Sequence, residues 1–159
     1  MSSKSQIKKE TKSKIIELYK SLGCEVEERK TGSISYHAFS ILGSDQRIAA
    51  MYGSLGGAAS LWIKKDAWSI VAPSLDRNTT RVEDVDLFRR GFQWAVHFMS
   101  QDDKALEPVV RASVEAGTVR WNRAIKRRAD DARRKEARAI KKAEMDSKRS
   151  DAWENIESS

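Results

Sequence analysis

The stretch that decides the fold is Cys24–Ala72, CEVEERKTGSISYHAFSILGSDQRIAAMYGSLGGAASLWIKKDAWSIVA. Short runs rich in Val, Ile, Tyr, Phe and Trp alternate in it with Gly and Asp. The runs are Glu25–Lys30, Ile34–Leu42, Arg47–Tyr52, Ala59–Lys64 and Trp68–Ala72. Between them stand Thr31-Gly32, Gly43-Ser44-Asp45, Gly53 with Gly56-Gly57, and Lys65-Asp66. Runs this short, joined by turn chemistry with no room for crossover helices, predict five antiparallel strands in a meander. Pro73 ends the last run, where a ladder donor is lost. Gly53-Ser54-Leu55-Gly56-Gly57 lacks the Gly-Lys-Ser/Thr ending of a phosphate loop and leads into no helix, so it is read as a hairpin connection.

On the N-terminal side the period changes. Ile15, Leu18, Tyr19 and Leu22 fall at i, i+3, i+4 and i+7, which predicts an amphipathic helix over 6–22 that stops at Gly23. On the C-terminal side, residues 74–81 are a polar loop. Thr80 and Glu83 then stand at capping-box spacing before Val85, Phe88, Phe92, Ala95, Val96 and Met99, which predicts a second packed helix over 83–99. Gly91 within it is expected to mark close packing against the sheet. Pro108 suits the first turn of a third helix, and Gly117-Thr118 predicts a break with Thr118 as a cap. From Val119 to Lys148 there is no Gly or Pro, and Ala, Arg, Lys and Glu dominate. Asp130–Arg134, Asp131–Lys135 and Glu144–Lys148 are acid-before-base pairs at i, i+4. The expected fold is α+β: an N-terminal helix, an antiparallel β-meander, a second packed helix and a long basic C-terminal helical extension. The expected boundaries are a globular domain over 5–100, the extension over 104–149 and a frayed acidic tail over 150–159.

Helix, meander and helix together resemble the double-stranded-RNA-binding fold in outline. The start of the second expected helix is Val82-Glu83-Asp84-Val85-Asp86, which is acidic where such domains are basic. No residue role is carried over from that family.

Composition limits the function classes. Of 159 residues, 40% are apolar and 33% charged, with the apolar residues concentrated in one stretch, which excludes disorder along the whole chain. The longest apolar run, Ile48–Tyr52, is far short of the ~20 residues a bilayer crossing needs. No apolar segment follows the basic N-terminus, so no secretory signal is expected and a cytoplasmic location is. Cys24 is the only cysteine, which excludes an intrachain disulfide and a multi-cysteine zinc site.

The net charge of +7 is unevenly spread. Residues 31–117 carry nine Lys or Arg against ten acids, whereas residues 118–149 carry thirteen against five. A segment this basic points to a polyanionic partner, because neutralising phosphates releases counterions. The expected nucleic-acid contacts are Arg120, Arg123, Lys126, Arg127, Arg128, Arg133, Arg134, Lys135, Arg138, Lys141 and Lys142, with Trp121 placed to stack or to anchor. The bland alternative is a solvated, salt-bridged helix. A second set, Tyr36, His37, Phe39, Tyr52, Trp62 and Trp68, could form a stacking platform on a sheet face, but aromatic residues on strands belong first to a core.

Catalytic inventories are poor. His37 and His97 form no metal-ligand spacing, and a lone Cys24 after a helix reads as a small core residue. Glu25, Glu27 and Glu28 suit a guarded edge strand, and Asp45, Asp66 and Asp76 suit turns. No enzyme activity, metal or cofactor is expected. The sequence thus predicts a non-enzymatic nucleic-acid-binding accessory protein that contacts the phosphates of DNA or RNA. The alternative is an inhibitor or adaptor module docking its basic helix on an acidic protein partner.

Overall fold

The computed structural model describes residues 3–53, 57–86 and 91–157. The chain is α+β. Helix α1 (Lys4–Ser21) is followed by strands β1 (Cys24–Thr31), β2 (Ile34–Ile41), β3 (Arg47–Gly53) and β4 (Ala59–Ile63). Then come a short helix α2 (Lys65–Val71), a 3-10 turn (Ala72–Ser74), strands β5 (Arg81–Asp84) and β6 (Trp94–Phe98), and helix α3 (Leu106–Glu157). The six strands form one sheet in the order β1-β2-β3-β4-β6-β5, every pairing antiparallel. The meander holds through β4, after which β6 inserts beside it and β5 takes the edge. Residues 1–121 form one compact unit and residues 122–159 a second.

Three local expectations are corrected. Trp68–Ala72 is not a fifth strand; it lies in α2 and the 3-10 turn. A run of five residues, four of them apolar, fits either period, and Asp66, expected in a turn, accepts from the Ala67 amide at 2.9 Å in the helix's first turn. The interval 83–99 contains β5 and β6 in place of a helix. Phe88, part of that expected face, lies outside the described residues. Gly91 has φ +83°, a left-handed conformation that no helix interior uses. Its loss also removes the outline shared with the double-stranded-RNA-binding fold. Gly117-Thr118 does not break α3: Thr118 donates its hydroxyl to the Val114 carbonyl at 2.8 Å, one turn back within a continuous helix. Residues 150–157 form the last turns of α3.

Strand alternation distributes two apolar clusters over the two sheet faces. One face carries Phe39, Ala49, Met51, Leu61, Ile63, Val96 and Phe98, packed with Ile15 and Tyr19 of α1, Ala67 and Val71 of α2, and Leu106, Val109, Val110 and Ala116 of α3. Tyr19 is wholly buried, stacks on Phe39 at 3.9 Å between ring centroids, and shares a 2.6 Å hydrogen bond with Ser113. The other face carries Tyr36, Ala38, Ala50, Tyr52 and Ala95 with Val85 and Phe92. The core therefore takes in the start of α3, beyond the 5–100 interval. A Cβ on Gly117 would lie 2.3 Å from Ile48 Cγ2, so glycine there permits close approach of α3 to β3.

Candidate nucleic-acid interface

The expected contact residues divide between the two units. Arg120 belongs to the first, where it is ion-paired with Asp66 at the start of α2. Trp121 is half-buried in the same unit. Arg123, Lys126, Arg127, Arg128, Arg133, Arg134, Lys135, Arg138, Lys141 and Lys142 all lie in the second unit, on α3, and all are exposed.

Helix geometry sorts these ten. At about 100° per residue, Arg123, Arg127, Arg134, Arg138 and Lys141 fall within one sector about 60° wide. Along the axis Arg123 and Lys141 stand about 27 Å apart, at ~1.5 Å per residue. Lys126, Arg128, Arg133, Lys135 and Lys142 point elsewhere around the helix. Two acids temper the set. Asp130 pairs with Arg133, and Asp131 lies 4.0 Å from Arg134. These pairs close at i, i+3, where i, i+4 partners were expected. Among the described residues, Arg123, Lys126, Arg127, Lys135, Arg138, Lys141 and Lys142 make no ion pair. A row of exposed guanidinium and ammonium groups on one side of a helix suits a linear polyanion, since each group can meet a phosphate without bending the backbone.

The aromatic set goes mainly to the core. Tyr36 and Tyr52 are 7% and 8% exposed and stack at 5.0 Å, with Trp62 half-buried 4.8 Å from Tyr52. Phe39 lies under α1. Trp68, on α2, stacks on Trp94 at 4.6 Å, and Arg77 lies over both rings at 5.5 and 5.9 Å.

One polar constellation was not legible in the sequence. Ser60 of β4 and His97 of β6 are register partners, and Ser60 Oγ lies 2.6 Å from His97 Nδ1. Glu83 of β5 reaches His97 Nε2 at 3.2 Å, in place of the helix cap expected of it. Residues 60, 83 and 97 share no motif, and only the β4-β6-β5 strand order brings them together. Ser60 is 2% exposed in mid-strand, where the neighbouring amides serve the sheet, so the arrangement satisfies buried polar groups. Cys24 is buried at the start of β1, and burial pushes its thiol up to about 11, away from a nucleophile's range.

Among the described residues, no group of three or more His, Cys, Asp and Glu is placed to hold a metal ion. Among them also, no helix is long and apolar enough to cross a membrane. Comparison with protein-family models, curated proteins and solved structures gives no match.

Proposed function

We propose that this protein is a non-enzymatic nucleic-acid-binding accessory protein whose second unit contacts the phosphate backbone of DNA or RNA. The observation that supports it is the cationic sector of Arg123, Arg127, Arg134, Arg138 and Lys141 on an exposed helix. Phosphates along a strand supply a matching row of charge, and release of their counterions drives association without base reading. Guanidinium groups, three-quarters or more of that sector, form paired hydrogen bonds with phosphate oxygens.

The test is a salt titration of the full chain against a random-sequence DNA duplex and an RNA of the same length, followed by fluorescence anisotropy. A plot of log affinity against log salt should fall with a slope of about −0.7 to −0.9 per phosphate contact, so five contacts give about −4. A slope near zero, with capture of an acidic protein that these cations are needed for, would replace this reading by the adaptor one.

A further inference from the structure

A second cationic site lies in the first unit, apart from the sector on α3. A cleft of about 530 Å³ opens beside the end of β4 and is lined by Lys64, Lys65, Asp66, Ser69, Gly91 and Arg120. Three of those residues are cations and one is an acid. Asp66 is already engaged by Arg120. Lys64 is drawn inward: its ammonium lies 5.6 Å over the Phe92 ring and 3.8 Å from where a Cβ on Gly91 would stand. A side chain at position 91 would begin to fill the cleft at that contact distance, and the left-handed backbone there disfavours one.

The charge balance is unusual for a solvated surface. Burial lowers the Lys64 pKa most, and Arg120 and Arg47 lower it further, while among the described residues Asp66 alone opposes them. A half-buried ammonium among guanidinium groups is under-compensated by one shared carboxylate. A small anion with several acceptor oxygens would supply the missing charge and take hydrogen bonds from more than one cation.

We infer that this cleft binds one phosphoryl group, with Lys64 and Arg120 as its principal donors and Ser69 on its wall. The volume suits a small ligand, and Lys64, Lys65 and Arg120 are three of the six residues that line it. The group can come from a free phosphate ester or from a nucleic-acid backbone. The inference does not rest on the function proposed for α3.

The experiment is a nuclear magnetic resonance titration of the full chain with inorganic phosphate at constant ionic strength, chloride serving as the control salt. Saturable shifts are expected at the Gly91 and Ser69 amides, and Lys64→Gln should weaken binding at least tenfold while Lys104→Gln leaves it unchanged. A second measurement needs no variant: phosphate should move the Lys64 side-chain titration upward, and chloride should not. Equal phosphate binding by the Lys64 and Lys104 variants, or an unmoved Lys64 titration, overturns the inference. A single-stranded oligonucleotide separates the sources, because Lys64→Gln keeps every cation from Arg123 to Lys142. Unchanged oligonucleotide affinity beside lost phosphate binding identifies a free ester as the ligand. A loss in both identifies a backbone phosphate.

Discussion

Two stretches of α3 have the same backbone geometry and different sources of stability. In 106–121, Leu106, Val109, Val110, Ser113 and Ala116 recur at helical spacing and are buried in the first unit. The outer side of that stretch carries Glu107 and Arg111, paired at 2.9 Å. In 122–156 every residue is exposed except Ala124 and Asp130, which are half-buried. The first stretch is helical because an apolar stripe packs; the second depends on Ala, Arg, Lys and Glu propensity and on local charge pairs. Composition thus separates a helix that builds a core from one whose side chains are almost all exposed.

The largest expected difference between the stretches is in stability. Phe39→Ala removes the ring that stacks on Tyr19 and should cost about 3–5 kcal/mol in urea denaturation. Ile140→Ala removes a side chain that is 54% exposed and should change stability by about 0.5 kcal/mol or less. Comparable losses from both would mean that the second unit is packed against something in solution.

Gly117→Ala tests where the packed stretch lies closest to the sheet. Propensity alone predicts a gain of about 1 kcal/mol. The new Cβ, however, would meet the stiff, buried Ile48 side chain, and overpacking of this kind costs about 1–3 kcal/mol. A net loss that Ile48→Ala partly relieves, read as a double-mutant cycle, supports the close approach. A net gain from Gly117→Ala would break it.

Cys24 gives a smaller, pH-dependent probe of the first unit. Its thiol is raised from an ordinary value of 9.0 to about 11 by burial, so the folded state favours the neutral form. Its contribution to stability is therefore full below about pH 9 and is lost as pH rises toward 11. Alkylation by iodoacetamide at pH 8 should be much slower in the folded protein than in urea. Equal rates would place the thiol at the surface.

What the sequence made legible follows from how many faces of each element are buried. The α1 stripe and the runs of β1 to β4 kept one readable period or clear turn residues, and all five elements stand close to their expected bounds. Trp94–Phe98 did not. Ala95 faces one cluster while Val96 and Phe98 face the other, so the strand shows no alternation of polarity and its spacing mimics a helix face. Gly117 resembled a helix stop because its reason is Ile48, 69 positions away, and no local pattern records that neighbour. The cationic residues of the second unit were evident from composition alone. Their division into a sector and a remainder follows from the helix expected over Val119–Lys148, whereas the cleft at Lys64 needed the fold.

A small expected effect on stability accompanies the sharpest test of function. Changing Arg127, Arg134 and Arg138 to Glu alters three residues inside the sector, and changing Lys126, Arg128 and Lys142 to Glu alters three outside it. Both triple variants shift the net charge equally, so any difference between them measures geometry and not bulk charge. Because all six side chains are exposed, each variant should unfold within about 1 kcal/mol of the parent. If phosphates meet the sector, the first variant should reduce the magnitude of the salt slope by about 2 to 3, at 0.7 to 0.9 per contact, and the second by clearly less. Equal reductions would mean that the helix attracts polyanions by its overall field, screened over ~8 Å at physiological salt, with no preferred side.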